Sequence, residues 1–270
     1  MLDPEQVSRW LREDLGHHDV TNHVPGETAG RLVVKEPGVV AGLEAAAAVF
    51  DYLDVAVTER LDEGRHVDSG DVVLRTDGPA KATLRAERTA VNLAGHASGI
   101  ATRTRRAVDA AREVDDDVRV AGTRKTTPGL RGVEKRAIAA GGGDTHRLDL
   151  SHMVMVKDNH VAEMGLEGAV EHFRERVSFA TKIEVEVGEP EQGPRAAEAG
   201  ADIVLLDNMD PATTERAVDL LPEGVLAEAS GGITVSDVPA YAATGVDVIS
   251  MGSLTHSAHS LDLSFRTGSK

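Results

Sequence analysis

The sequence predicts an α/β chain in two parts, an α+β domain over residues 1–105 and a (β/α) barrel over residues 106–270, whose last residues pack back on the first domain. Three observations predict it. The first third mixes helix and strand signals with no fixed period. After it, short apolar strands alternate with helical stretches. The last four of those strands start about every twenty residues, the length of one βα unit.

In chain order, residues 4–15 read as a helix with Asp3 as N-cap, Pro4 in the first position and Gly16 as the stop. Residues 30–35 and 38–42 are short strands, and 43–53 is an Ala-rich helix. Residues 63–74 alternate apolar stretches with turn residues, which implies small β-hairpins. A long helical pattern runs from Thr83 to Arg112, through Gly95 and Gly99, and marks the junction. Strands are then expected at 118–121, 153–156, 182–187, 202–206, 225–229 and 246–251.

With 41% apolar and 27% charged residues over 270 positions, the composition is that of a soluble globular protein with a substantial core. No apolar run approaches the ~18 residues that span a bilayer, and the first residues lack the basic and apolar regions of a signal peptide, so a cytoplasmic location without membrane partners is expected. The absence of cysteine excludes disulfides, thiolate nucleophiles and Cys-ligated zinc. Forty-five acids face twenty-nine bases, giving −16, and aromatic residues are 3%; this argues against nucleic acid, whose phosphates need a basic footprint. Such an acidic surface also suggests a halophilic origin, because dense carboxylates keep a protein hydrated when salt screens their repulsion.

Against this background the stretch from Gly122 to His160 reverses sign. It holds seven Lys and Arg (Arg124, Lys125, Arg131, Lys135, Arg136, Arg147, Lys157) against four acids, Glu134, Asp144, Asp149 and Asp158, a local balance of +3. Arg124, Lys125, Arg147 and Lys157 follow or end expected strands and converge on one barrel mouth. Arg grips carboxylates as a fork, and Lys supplies a compact charge for phosphate oxygens, so a polyanion pocket is implied. In residues 182–187 the alternation sets Ile183, Val185 and Val187 toward helices and Lys182, Glu184 and Glu186 into the barrel. Asp207 ends the next strand, and Glu228 lies near the end of the one after. Ser230-Gly231-Gly232-Ile233 follows one of the last two strands and leads into a helix, and Gly252-Ser253 follows the other, where barrels build phosphate sites from backbone amides and helix N-termini.

Other chemistries find little support. His146, His152 and His160 match no zinc spacing, and packing or substrate hydrogen bonding suits them better. Gly95-His96-Ala97-Ser98-Gly99 places its serine one position too late for a nucleophile elbow. His17 and His18 fall in a polar turn. No Walker loop or dinucleotide glycine fingerprint is present.

Taken together, the segments Glu87-Arg88-Thr89-Ala90-Val91-Asn92, Ser98-Gly99-Ile100-Ala101-Thr102, Gly122-Thr123-Arg124-Lys125-Thr126, Gly141-Gly142-Gly143 with His146-Arg147, Lys157-Asp158-Asn159-His160, Glu184-Val185-Glu186, Leu206-Asp207-Asn208-Met209, Ala229-Ser230-Gly231-Gly232-Ile233 and Ser250-Met251-Gly252 closely resemble the quinolinate phosphoribosyltransferase family, the carboxylating nicotinate-nucleotide pyrophosphorylases. The resemblance runs nearly end to end. It implies an α/β-sandwich domain followed by an incomplete, TIM-like barrel, and a homodimer or higher homo-oligomer whose active sites are completed by the neighbouring subunit. It further implies transfer of phosphoribosyl from phosphoribosyl pyrophosphate to quinolinate, with decarboxylation, in NAD biosynthesis. By the same resemblance Arg88 reaches into the partner's site, where Arg124, His146, Arg147 and Lys157 join it on the two carboxylates of quinolinate. Lys125, Glu186 and Asp207 engage the phosphoribosyl pyrophosphate and its Mg2+, which the two acids meet through water and pyrophosphate. Lys125, Lys157, Glu186 and Asp207 are then the catalytic set, and Ser230-Gly231-Gly232 with Gly252-Ser253-Leu254 cradle the 5′-phosphate. Glu184 and Glu186 are both candidates for the acidic position, with the separation from Asp207 favouring Glu186.

Two other readings compete. A related phosphoribosyltransferase could use nicotinate or a pyrimidine acid without decarboxylation. Residues 60–85 also look like a lipoyl-type carrier hairpin, which would need a lysine at its tip, and Lys81 is the nearest one.

Overall fold

The computed structural model describes residues 3–268. In chain order its elements are α1 (Pro4–Leu15), β1 (Glu27–Val34), β2 (Gly38–Val39), α2 (Leu43–Tyr52), β3 (Ala56–Arg60), β4 (His66–Val67), β5 (Val72–Pro79), α3 (Ala80–Arg112), β6 (Arg119–Ala121), α4 (Arg131–Ala140), β7 (Val154–Val156), α5 (Asp158–Met164), α6 (Leu166–Arg174), β8 (Ile183–Val187), α7 (Gln192–Glu198), β9 (Ile203–Asp207), α8 (Pro211–Leu220), β10 (Leu226–Ser230), α9 (Val238–Ala242), β11 (Val248–Ser250), α10 (Ser253–His256) and β12 (Leu263–Thr267). They form two compact units. One comprises the chain up to Arg105, Gly132–Gly142 and the chain from Ala258; the other comprises Arg106–Arg131 and Gly143–Ser257. A boundary drawn along the sequence puts residues 132–142 in the barrel, whereas most of α4 belongs to the first unit.

In the first unit an antiparallel sheet runs in the order β12-β1-β5-β3, and β2 pairs with β4. Helix α1 begins where expected: the Asp3 carboxylate accepts from the Glu5 N–H at 2.9 Å, Pro4 occupies the first turn, and Gly16 ends the helix with φ 58°. The small hairpins expected at 63–74 are absent among the described residues, because β4 pairs with β2 while β5 lies between β1 and β3. Lys81 stands in the first turn of α3, so the lipoyl-type hairpin with a lysine tip is not present. Helix α3 continues through its glycines because they admit a neighbour. A Cβ on Gly99 would lie 1.9 Å from the His259 carbonyl oxygen.

The second unit is a six-stranded parallel sheet in the order β6-β11-β10-β9-β8-β7. Sheet order and α/β alternation are those of a TIM-like barrel, and among the described residues no ladder joins β6 to β7, so the ring is incomplete. One face of every strand feeds the core: Val120, Val156, Ile183, Val185, Val187, Val204, Leu206, Ala227, Ala229 and Ile249 pack with Ala169, Val170, Ala196, Ala217 and Val238 of the flanking helices. Burying such side chains contributes roughly 1.5–3 kcal/mol each. The alternate positions on β8, β9 and β10 face the barrel interior, as the two-residue period requires. Lys182 is a correction: it precedes β8 and is exposed, so the inward set on that strand is Glu184 and Glu186 alone. None of the described helices is long and apolar enough to cross a membrane.

Candidate active site

The parallel register levels the inward side chains. Glu186 pairs with Leu205 and Leu205 with Glu228, so those three form one row across β8, β9 and β10. Glu184, level with Ile203, lies one row deeper, while Asp207, level with Ser230, lies one row nearer the strand ends. Glu184 and Glu228 are fully buried; Glu186 and Asp207 are half-buried, beside the open mouth.

Into this acidic interior the loops after β6 and before β7 bring cations. His146 has a left-handed backbone (φ 51°), held by its N–H donating to Asp144 Oδ1 at 2.7 Å. Its Nε2 lies 3.0 Å from Glu228 Oε2 and 3.7 Å from Glu184 Oε2. Each of these three residues offers one atom within 4.8 Å of the others, a spacing that suits a cation. Arg147 is 7% exposed, donates from Nη2 to Met155 Sδ at 3.1 Å, and leaves a buried Nε without a hydrogen-bond partner. Burial is the main influence lowering its affinity for a proton below the usual arginine range; Glu184 and Glu228 oppose that shift, and Arg124 adds to it. Arg124 is half-buried, and its Nε likewise has no hydrogen-bond partner. Lys157, just past β7, donates from Nζ to Glu186 Oε2. Burial, followed by the repulsion of Glu228, pushes the Glu184 carboxyl up to about 8, against the pull of His146, Arg147 and Lys157.

The glycine loops adjoin this cluster. Asn208 takes a left-handed turn (φ 56°), donates its N–H to the Ser230 carbonyl at 2.9 Å and its Nδ2 to Asp207 Oδ2 at 2.6 Å. A Cβ on Gly231 (φ +108°) would meet Asn208 Oδ1 at 2.4 Å, so only glycine fits there. Ser253 Oγ donates to the Ile233 carbonyl at 3.2 Å and ties the loop after β11 to the loop after β10. Lys125 joins them: its Cδ lies 2.8 Å from where a Gly252 Cβ would stand, and its carbonyl accepts from Thr255 Oγ1 at 2.6 Å.

One expectation is corrected. Ser230-Gly231-Gly232 does not lead straight into a helix: Asp237 Oδ2 accepts from Thr234 N and Oγ1 in an intervening turn, and α9 starts only at Val238. The Leu254 side chain is fully buried in the helix-side core, and its N–H donates to the Met251 carbonyl. His152 and His160 stay out of the cluster, their Nδ1 atoms accepting from Leu148 N and Lys157 N. Arg88 belongs to the first unit, where it is exposed on α3 with Nη2 3.8 Å from Glu87 Oε1. Sequence reasoning picks out Glu184 and Glu228 singly but misses their pairing around His146, and it misses Asn208 as the link between two strand ends. The inward phase of Ala227-Glu228-Ala229 was the available signal.

The family description "Quinolinate phosphoribosyl transferase, C-terminal domain" matches residues 100–266, and "Quinolinate phosphoribosyl transferase, N-terminal domain" matches residues 19–98. The chain is 45% identical over 268 residues to a probable carboxylating nicotinate-nucleotide pyrophosphorylase of Methanothermobacter thermautotrophicus, covering 96% of each chain. It is 43% identical over 270 residues to the human carboxylating nicotinate-nucleotide pyrophosphorylase, covering 98% of this chain and 91% of the human one. The solved structure of NadC from Streptococcus pyogenes superimposes with a TM-score of 0.91 at 38% identity, covering 98% of this chain and 97% of that one. With both domain descriptions matched in order and inward carboxylates, cations and glycine loops on one sheet, the chain belongs to the quinolinate phosphoribosyltransferase family.

Proposed function

We propose that this chain transfers the phosphoribosyl group of phosphoribosyl pyrophosphate to quinolinate and releases CO2, giving nicotinate mononucleotide and pyrophosphate. The observation that carries the proposal is the convergence of His146, Arg147 and Lys157 with Glu186 and Asp207 on the inner face of one sheet, beside two glycine loops joined through Ser253.

In this reading Arg124, His146, Arg147 and Lys157 hold the two carboxylates of quinolinate and aim its ring nitrogen at the anomeric carbon. The N–C bond forms as the C–O bond to pyrophosphate breaks, with the electron pair leaving on pyrophosphate. The positive ring then accepts the pair from the adjacent C–CO2 bond, CO2 departs, and that carbon takes a proton. Lys125 supplies charge to the departing pyrophosphate, and Glu186 and Asp207 favour the cationic ribosyl centre. Positioning two anionic substrates contributes more than any single acid or base. In the same reading Ser230, Gly231, Gly232, Gly252 and Ser253 cradle the 5′-phosphate.

Glu186 and Asp207, on neighbouring strands and both accessible, offer hard oxygen ligands of the kind Mg2+ accepts while keeping several waters. When bound, the ion would neutralise charge developing on pyrophosphate. A homodimer in a cytoplasmic setting belongs to the same proposal, with Arg88 entering the site of a second copy. The test is incubation with Mg2+, phosphoribosyl pyrophosphate and either quinolinate or nicotinate, following CO2 and mononucleotide. CO2 and mononucleotide from quinolinate are expected; product from nicotinate alone would favour a non-decarboxylating relative.

A further inference from the structure

Two buried carboxyl groups are left over from this division of labour. Glu184 is fully buried, and neither of its oxygens has a hydrogen-bond partner; Glu228 is 1% exposed and uses only Oε2, leaving Oε1 unmatched. A buried carboxyl without hydrogen bonds is less stable than an apolar side chain of similar size. Fold stability therefore gives no reason for two of them in one barrel.

Their surroundings do. The pair stands on β8 and β10, on either side of β9, and both approach His146 Nε2. Glu228 holds the ring at that nitrogen with Glu184 close behind, while its backbone is set by the left-handed turn and the Asp144 contact. Arg147 lies near the same pair, and both acids act on its charge, while its Nη2 donates to Met155 Sδ. Arg124 repels Arg147, and Glu228 opposes that repulsion in a low-dielectric interior. The spacing of His146, Glu184 and Glu228 would also suit a metal ion, but the charge of the nearby Arg147 would oppose a second cation.

We propose that Glu184 and Glu228 are positioning residues for the acceptor pocket: they orient His146, beside Arg147, to receive a dicarboxylate, without touching the reacting atoms. This rests on the quinolinate reading above and extends it to residues inside the barrel.

The test is steady-state kinetics on the full chain for Glu184→Gln, Glu228→Gln and Glu228→Ala, in the wild-type and His146→Ala backgrounds, with thermal melting of each. Glu228→Ala is expected to raise the KM for quinolinate about tenfold or more while leaving that for phosphoribosyl pyrophosphate within about twofold, the size expected for loss of one charged hydrogen bond. Glu228→Gln, which keeps an acceptor oxygen, should restore part of the loss, and Glu184→Gln, which resembles the protonated acid, should change the same KM less than Glu228→Ala does. Neither Gln variant should lower the Tm. In the His146→Ala background the glutamate substitutions should have smaller effects, because they act through that ring. Equal fold-losses in both backgrounds, equal rises in both KM values, or a lower Tm with unchanged KM would overturn the proposal. A wild-type enzyme inert toward quinolinate would instead overturn the function on which it rests.

Discussion

Lys157 and Glu186 form an ion pair across the neighbouring strands β7 and β8, although the proposed chemistry assigns them to different substrates. Each charge must turn from the other when an acceptor carboxylate and a donor pyrophosphate arrive. Glu186→Gln should therefore release Lys157 while removing a carboxylate from the ribosyl centre. We expect kcat to fall about 100-fold, with the KM for quinolinate unchanged or lower. A rise in that KM of about tenfold would show that Glu186 holds the acceptor side instead.

Gly231 is the tightest point of the phosphate-side loops. Gly231→Ala forces a Cβ into Asn208 at a positive φ, at a cost of about 1–3 kcal/mol. Chemical denaturation should show that loss, and the KM for phosphoribosyl pyrophosphate should rise more than the KM for quinolinate. Equal changes in both KM values would dissociate this loop from the donor.

The proposed sharing of sites between subunits predicts complementation. Arg88→Ala and Lys157→Ala proteins should each be inactive and recover activity when mixed, because a hybrid dimer contains one site with both residues. Subunit exchange, followed by differential tagging, must be demonstrated in the same experiment. Exchange without recovered turnover would remove Arg88 from the partner's site.

In the first unit Arg85 donates from Nε to Asp19 Oδ2 at 2.6 Å. That bond, with the N–H groups of Asn22 and Thr21, holds the Asp19 carboxyl well below the usual carboxylate range. A depressed carboxyl contributes stability above its unfolded value, about pH 4, and loses it as pH falls through the folded value. Arg85→Ala should therefore lower the Tm at neutral pH, and the gap from wild type should shrink below about pH 4. A gap that stays constant down to pH 3 would contradict the assignment.

The net charge of −16 predicts salt dependence. Raising KCl toward about 1 M, where the screening length is about 3 Å, should raise the Tm by relieving self-repulsion. A Tm that declines steadily with salt would refute a halophilic character.

Much of this was legible along the chain, wherever the determinant is local. Helix α1 follows from Asp3, Pro4 and Gly16 because a cap acts within one turn. The inward phase of Glu184 and Glu186 follows from the two-residue period of a strand between Ile183 and Val187. Other features were not legible. Thr234 and Asp237 delay α9 by a side-chain turn that glycine patterns do not reveal. The pairing of β5 with β1 and β3, rather than with β4, depends on strands distant in sequence.

By itself, then, the order of residues determined the two-part α/β plan, the alternation that turns carboxylates inward and the cationic stretch from Gly122 to His160, because periodicity, caps and charge are properties of short segments. Only tertiary structure decided that Glu228 meets His146 across 82 positions of sequence, that Arg147 is buried while Lys182 is exposed, and that Lys157 pairs with Glu186. Those outcomes depend on which strands become neighbours and in what register, and that is set by packing of the whole sheet against its helices.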